Sequence, residues 1–192
     1  MEAPMNASWS FKYLLKIRPD VAHLFLGQVR DLSTRYIWEE LHTSAPKVAC
    51  HHLVWFSGRI PNHNIIIWMT ILNRLPTRVR LLRMGLAIES DRCLLYDNEA
   101  NTKDNLFFEC RFAKELWGSI MELCCISREA SSWDEELVWA SLLLKGKSLI
   151  VRMLKLAWTS HVYSIWKERN SRLFRSIAIS KEEVLEDIKE AI

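Results

Sequence analysis

The chain of 192 residues is 49% apolar and 26% charged, and its formal net charge is only +3. This composition excludes a disordered chain and is typical of a globular protein with one core, while the charge is too small to indicate a nucleic-acid partner by itself. Five glycines and five prolines leave little material for turns, which favours a few helices over an all-β fold.

The first predicted elements are two short helices in the N-terminal part of the chain. A helical pattern at residues 11–17 stops before Pro19, and a second pattern covers residues 33–45.

The sequence before these helices has neither the basic region nor the apolar stretch of a secretory signal. No run approaches the roughly 18 apolar residues of a transmembrane helix, so we expect an intracellular protein, in the nucleus or cytoplasm, with no membrane partner.

The central part of the chain is predicted to contain two further helices. Residues 64–75 are apolar nearly all round, which favours a buried helix, although the three isoleucines at 65–67 leave a strand as the alternative. The next helix has Pro76 in its first turn and Gly85 at its C-terminal end. Residues 86–105 are polar and are predicted to form a loop.

The rest of the chain is predicted to be helical. One helix covers residues 112–124, and the next starts at a capping box formed by Ser132 and Glu135. A long helix covers about 148–174, with an apolar stripe from Ile150 to Phe174, and a last helix starts at a second capping box near residue 180. The predicted fold is therefore mainly α: a small multi-helix domain with an irregular loop and a long C-terminal helix.

The cysteines are predicted to be free. An odd count, with two of them adjacent, in a chain without a secretory signal argues against a disulfide framework. Free cysteine is among the most buried residue types, so we expect buried thiols at Cys50, Cys124 and Cys125. Residual metal ligands are the alternative. The full set is Cys50, Cys93, Cys110, Cys124 and Cys125.

Ordered motifs between residues 54 and 117 carry a family resemblance. They are Val54-Trp55-Phe56, Ile60-Pro61-Asn62-His63, Asn73-Arg74-Leu75-Pro76-Thr77-Arg78, Arg80-Leu81-Leu82-Arg83-Met84-Gly85, Cys93-Leu94-Leu95-Tyr96 and Asp104-Asn105-Leu106-Phe107-Phe108-Glu109-Cys110. Together they resemble the zinc-binding domain that follows the polymerase in reverse transcriptases of plant non-LTR retrotransposons. The resemblance covers about residues 33–118. We therefore expect a linker-like segment at 1–32, a zinc-binding-like domain at 33–118 and a helical extension at 119–192.

The resemblance implies a zinc site that this sequence does not complete. The family pattern places two cysteines, a histidine and a last cysteine in order. Here Cys93 and Cys110 occupy the first and last positions, while Tyr96 and Asn105 occupy the other two. A structural zinc site needs four donors, commonly thiolates and imidazole, and neither a phenol nor a neutral amide is a good substitute.

We therefore expect the irregular loop to be a degenerate zinc knuckle that binds no metal. In this interpretation Tyr96, Phe107 and Phe108 fill the space that the metal leaves. The alternative is a weakened zinc site, in which Cys93 and Cys110 are joined by an outside ligand such as His63.

Catalysis is not expected. The chain contains no adjacent pair of aspartates and no Tyr-x-Asp-Asp block, which polymerisation by two metal ions would require. No glycine-rich phosphate loop is present either. We therefore expect a protein that is not an enzyme and has no small-molecule substrate.

Binding of RNA or DNA is the function that the resemblance implies, because in the parent elements the domain is thought to help the polymerase engage nucleic acid. The candidate residues near one helix are Arg74, Arg78, Arg80 and Arg83. A second basic run comprises Arg152, Lys155, Lys167, Arg169, Arg172 and Arg175. Such residues can contact phosphates, but they also solvate the outer faces of helices. The alternative is therefore a structural or protein-interaction module, or a decayed fragment, with no nucleic-acid role and no indicated oligomeric state.

Overall fold

The computed structural model describes Pro19 and residues 48–88, 90–96 and 99–192. The helices predicted at 11–17 and 33–45 lie outside this part of the chain. The described helices are α1 His51–Val54, α2 Pro61–Ile71, α3 Arg78–Arg83, α4 Arg111–Leu123, α5 Trp133–Leu143, α6 Leu149–Arg175 and α7 Lys181–Ala191, with a π-helical turn at Asn105–Glu109. The predicted mainly α fold is confirmed, and residues 64–75 contribute to a helix rather than a strand.

The irregular loop and the long C-terminal helix are also as predicted. Between α3 and the π-helical turn the described backbone is irregular, with an antiparallel bridge between Arg92 and Ala100. Helix α6 has 27 residues and is the longest helix among those described. None of the described helices is both long and apolar enough to cross a membrane.

Local capping explains why several helices begin where the sequence predicts. Ser132 accepts a hydrogen bond from the Glu135 N–H, and the Glu135 carboxylate accepts one from the Ser132 N–H. Ser180 and Glu183 form the same capping box at the start of α7. Each box satisfies two N–H groups that a helix N-terminus leaves without partners. Both predicted capping boxes are therefore confirmed.

The start and end of α3 differ slightly from the prediction. Gly85 has a φ of +80°, and the Leu86 N–H donates to the Leu81 carbonyl at 3.1 Å, which is how a glycine ends a helix. Pro76 lies before the N-cap residue, Thr77, rather than in the first turn. Thr77 has an extended backbone, so the helix starts at Arg78, two residues later than a helix with Pro76 as its first residue would.

The core lies where the π-helical turn meets α4, α5 and α6. Phe108 lies 5.9 Å from Trp133 between ring centroids, and Trp133 lies 5.7 Å from Trp158, all fully buried. Such aromatic contacts stabilise beyond the area that they bury. Residues on both sides of the predicted boundary at 118 and 119 share this core. The domain bounds stay a prediction.

Helix α2 is only partly buried, contrary to the prediction for this segment. Its buried face consists of His63, Asn64, Ile67 and Thr70, whereas Ile65 is exposed. The segment is apolar on every side, so its sequence does not indicate which side faces α6. Packing against α6 selects a face with polar groups, and His63 Nδ1 lies 3.1 Å from the hydroxyl oxygen of Ser160.

The apolar stripe predicted on α6 is correct only in the middle of the helix. Ala157, Val162 and Ile165 are buried, whereas Ile150 and Phe174 near the two ends are exposed. A helix of this length spans about 40 Å, which is longer than the core that it crosses. Its first and last turns therefore extend past the other helices.

The prediction of buried thiols is wrong for Cys125 and too strong for Cys50 and Cys124. Cys125 is exposed, and the other two are half-buried. Cys125 has a φ of +56° and forms the turn that ends α4, where the Ile126 N–H donates to the Met121 carbonyl at 2.9 Å. A residue in such a turn faces solvent whatever its side chain is.

Two buried histidines make stability depend on pH. His161 is fully buried beside the rings of Phe108 and Trp117, and its Nε2–H donates to the Phe107 carbonyl at 2.8 Å. Burial lowers the pKa of His161 to about 4, and it has the same effect on His63, helped by the charge of Lys167.

We predict that the folded state loses stability as the pH falls from about 6.5 to about 4. In that range the unfolded chain, with histidine pKa values near 6.5, binds more protons than the folded chain. Urea unfolding at several pH values should show this decline. His161→Gln, which keeps an N–H for the Phe107 carbonyl, should show a smaller decline. The remainder should come from His63 and His52, whose pKa values burial also lowers. An unchanged pH dependence in the variant would contradict this assignment.

Candidate functional site

The two predicted metal ligands lie next to each other in a buried site. Cys93 belongs to the irregular loop, Cys110 is the N-cap residue of α4, and both are buried. Their sulfur atoms are 3.8 Å apart. Two thiolates on one tetrahedral zinc ion also lie about 3.8 Å apart, since Zn–S bonds are about 2.3 Å long. The structure therefore retains one edge of the tetrahedron that the family pattern requires.

Main-chain N–H groups surround both sulfur atoms. Those of Tyr96 and Leu95 donate to Cys93, and those of Ala113 and Phe112 donate to Cys110. The hydrogen bond between the two thiols is the main cause that lowers the pKa of Cys93, against the effect of burial. The same bond, together with burial, raises the pKa of Cys110. The pair therefore gives up one proton readily and the second with difficulty.

The other two positions of the pattern are occupied by groups engaged elsewhere. The Tyr96 side chain is 42% exposed, and its hydroxyl accepts a hydrogen bond from Arg111 Nη1 at 3.4 Å. Asn105 is buried, and its Nδ2 donates to Glu99 Oε2 at 2.7 Å. Its Oδ1 is buried without a hydrogen-bond partner in the described part of the chain.

These residues do not fit a closed structural zinc site. Two thiols and one amide oxygen leave the tetrahedron incomplete, and a phenol hydrogen-bonded to an arginine is a poor fourth donor. Within residues 48–88, 90–96 and 99–192, no three His, Cys, Asp or Glu side chains form a group that could hold a metal ion. The proposed outside ligand, His63, instead contacts Ser160 and stacks on Tyr163 at 4.2 Å.

The prediction that aromatic rings fill the site is wrong for two of the three residues named. Phe107 and Phe108 face the buried tryptophans, 5.5 Å from Trp133 and 5.7 Å from Trp117 respectively. A small cleft of about 140 Å³ remains, and it is lined by Tyr96, Glu99, Asn105, Glu109, Cys110 and Arg111. The π-helical turn explains the difference, since it directs the phenylalanines into the core while the asparagine faces the cysteines' loop.

Helix α6 holds the irregular loop by arginine hydrogen bonds. Arg172 Nη1 donates to the carbonyls of Leu94 and Leu95 at 3.2 and 3.1 Å, directly after Cys93. Its Nε donates to Glu168 Oε1 at 2.7 Å, and this carboxylate is buried. The i, i+4 spacing of the Glu–Arg pair is visible in the sequence. The sequence does not indicate that the arginine also donates to the carbonyls of Leu94 and Leu95.

The second basic run predicted to contact nucleic acid does not form one exposed surface. Arg169 is buried and donates to the Pro76 carbonyl at 3.1 Å, and Arg172 is bound as described above. Lys155 is buried, and Lys167 pairs with Asp187 at 2.9 Å. Most side chains of the run are therefore buried or paired within the protein. The periodicity of the helix sequence does not show these contacts.

The first basic group is brought together in part. Arg80 and Arg83 line a cleft of about 450 Å³ together with Lys103, which the sequence did not indicate. Arg74 is exposed but does not line the cleft. The Arg78 N–H donates to Asn101 Oδ1 at 3.0 Å, and its side chain is not part of the lining either. The role of all four arginines stays a prediction.

Comparison with known proteins supports the resemblance. Residues 32–117 match the family model whose description is zinc-binding in reverse transcriptase. The matched range agrees with the predicted 33–118 and contains all four positions of the degenerate zinc pattern, so the resemblance to a zinc-binding domain of reverse transcriptases is confirmed over these residues. The comparison with curated proteins gave no match, and neither did the comparison with solved structures.

We predict that two substitutions restore zinc binding. In Tyr96→Cys/Asn105→His, a thiolate and an imidazole join Cys93 and Cys110, which completes the usual donor set. Elemental analysis of the purified protein should give about one zinc per chain for this variant and none for the native chain. Tyr96→Cys/Asn105→Ala is the control, with three donors only. A stoichiometric zinc in the native chain would show that other residues complete the site.

We also predict that Arg172→Ala destabilises the protein by about 3 kcal/mol, because it leaves the buried Glu168 without its cation. The carbonyls of Leu94 and Leu95 lose their donor in the same variant. The matched control is Arg175→Ala in the last turn of the same helix, where the side chain is exposed and a change within about 0.5 kcal/mol is expected. Urea unfolding measures both, and equal effects would rule out the bracing role.

Proposed function

We propose that this chain, whose residues 32–117 belong to the family of zinc-binding domains of reverse transcriptases, is a non-catalytic module that binds RNA or DNA without a metal. The observation that carries the proposal is the cleft lined by Arg80, Arg83 and Lys103. Three cations from two separate chain segments, against the single carboxylate of Asp104 in the lining, favour an anionic partner. A phosphate backbone is the anion that this family's association with reverse transcription suggests.

The two arginines of the cleft are better phosphate donors than the lysine. A guanidinium can donate two parallel hydrogen bonds to one phosphate. Lys103 is partly neutralised, since its ammonium lies 3.3 Å from Asp134 and 3.9 Å from Asp104. Thr77 and Thr102 also line the cleft and can add hydroxyl contacts to phosphate oxygens. The affinity should therefore depend mainly on Arg80 and Arg83.

A non-catalytic role is supported by the lack of an adjacent pair of aspartates in the sequence. Phosphoryl transfer by two metal ions needs carboxylates that converge on both ions. The sequence has no adjacent aspartates, and its densest acidic groups lie at the starts of α5 and α7, where they cap helices. These carboxylates already have a structural function.

Protein interaction is a second candidate function, favoured by exposed apolar residues at the corner between α5 and α6. Leu142, Leu143, Leu149 and Ile150 are exposed by 60, 61, 67 and 61%. Clustered exposed leucines are typical of a surface that another protein covers. Self-association is its simplest test: light scattering should show dimers that Leu149→Glu disrupts, and a monomer at all concentrations would argue against it.

We predict that Arg80→Ala/Arg83→Ala weakens binding to a labelled single-stranded RNA of about 12 nucleotides. Removal of two phosphate contacts should also lower the slope of the logarithm of affinity against the logarithm of salt concentration by about 1.4. Fluorescence anisotropy between about 50 and 200 mM salt measures both quantities.

The control for this experiment is Lys114→Ala/Arg175→Ala, which removes two exposed positive charges outside the cleft. It should have a smaller effect on affinity than the arginine variant. If both double variants weaken binding equally, net charge rather than the cleft explains the interaction. If the native chain binds neither RNA nor DNA, the proposed function is wrong.

A further inference from the structure

A second cleft lies between the end of α1 and the start of α6, away from the residues that line the arginine cleft. Its volume is about 350 Å³. One side is formed by Trp55 and Phe56, which follow α1. The other side is formed by Lys145 and Lys147, in the turn between α5 and α6, and by Arg152 and Lys155 of α6. We name it the lysine–tryptophan cleft.

The lysine–tryptophan cleft is strongly positive. Four cationic side chains line it, and none of the described residues that line it is acidic. The N-terminus of α6 begins at Leu149, between the two lysines and Arg152, and has no acidic residue in its first turn. A helix N-terminus carries a partial positive charge, which adds to the field of the side chains.

Two groups in the cleft show the effect of this field and of burial. The pKa of Lys155 is lowered by burial, and its ammonium donates to the Gly146 carbonyl at 3.4 Å. The pKa of His52, which also lines the cleft, is lowered first by burial and then by the charge of Lys155. An anion in the cleft would favour the charged forms of both groups.

The aromatic residues of the cleft differ in their exposure. Phe56 is buried, and the Lys155 ammonium lies 5.7 Å from its ring centroid. Trp55 is 51% exposed, and the Arg59 guanidinium lies 5.6 Å from its ring centroid. A large exposed indole beside an arginine and several lysines offers a flat apolar surface within reach of cations. Most other described tryptophans are buried or half-buried.

We infer that the lysine–tryptophan cleft binds single-stranded nucleic acid, with an unpaired base stacked on Trp55 and the flanking phosphates held by Lys145, Lys147 and Arg152. The inference rests on the proposed function, because it takes the partner to be a nucleic acid. Beyond the proposed function, it specifies that the nucleic acid is single-stranded and that a second surface of the protein contacts it.

The combination of groups favours this partner over other anions. A free phosphate would use the cations but not the exposed indole, whereas a base has a flat π-face of matching size. A duplex buries its bases, so it would contact the lysines and leave Trp55 unused. An acidic peptide would contact the lysines without a flat ring to stack, unless an aromatic side chain accompanied its carboxylates.

The test compares a single strand of about 12 nucleotides with the same sequence as a duplex, by anisotropy. We expect Trp55→Ala to weaken single-strand binding by roughly fivefold or more and to leave duplex binding unchanged. Trp55→Phe should restore most of the lost affinity, since it keeps an aromatic face. Phe174→Ala, which removes a more exposed ring in the last basic turn of α6, is the control and should have no effect.

A second readout identifies the contact directly. A single strand that contains 5-bromouracil should form a light-induced adduct at Trp55, which mass spectrometry of the digested complex can locate. Lys145→Ala/Lys147→Ala should lower the salt slope for the single strand by about 1.4. Thermal unfolding of each variant shows whether the fold is intact. If Trp55→Ala does not fold, the affinity of Trp55→Phe for the single strand is compared with that of the native chain instead.

The possible outcomes separate this inference from the proposed function. If the native chain binds nucleic acid through Arg80 and Arg83, but Trp55 variants bind normally and no adduct forms at Trp55, the inference is wrong and the proposed function stands. If the chain binds no nucleic acid, both are wrong. If vesicles of anionic phospholipid bind in a Trp55-dependent way and the single strand does not, the cleft serves a membrane surface and the inference is overturned.

Discussion

The hydrogen bonds of the Arg172 guanidinium are the interaction on which the rest of this structure depends. One side chain joins α6 to the carbonyls that follow Cys93 and to the buried carboxylate of Glu168. That carboxylate also accepts the Ile179 N–H at 3.1 Å, so it fixes the segment leading into α7. A buried ion pair is costly unless further hydrogen bonds support it, and here the guanidinium donates to two carbonyls and the carboxylate accepts a main-chain N–H. The irregular loop therefore has a fixed position relative to the helices.

This bracing explains how the irregular loop can have a fixed geometry with only two of the four donors of the family's zinc pattern. Zinc contributes on the order of ten kcal/mol to small domains that depend on it for folding. No single hydrogen bond replaces that amount. The loop, however, is packed against a 27-residue helix and shares a core with it, so protein contacts hold its position in this structure. Cys93 and Cys110, whose sulfur atoms are 3.8 Å apart, both belong to that core.

Sequence reasoning succeeded where the determining interaction is local. The capping boxes at Ser132 and Ser180 satisfy N–H groups within one turn, so the residues that decide the helix start lie within four positions. It failed where the partner is distant in sequence. Arg169 and Arg172 look like surface cations on a helix, and only the carbonyls of the irregular loop and of Pro76 make them structural. The cysteine pair was found because the family pattern supplies the long-range pairing that periodicity lacks.

The same limit explains why the lysine–tryptophan cleft is not visible in the sequence. Trp55 and Lys147 are far apart along the chain, and each has an ordinary interpretation: an aromatic residue within a family motif, and a lysine in a polar turn. They come together because the residues after α1 and the turn before α6 line the same cleft. The two ends of α6 therefore have different roles. Its C-terminal turns hold the irregular loop through Arg172, while Leu149 and Ile150 in its first turn are exposed.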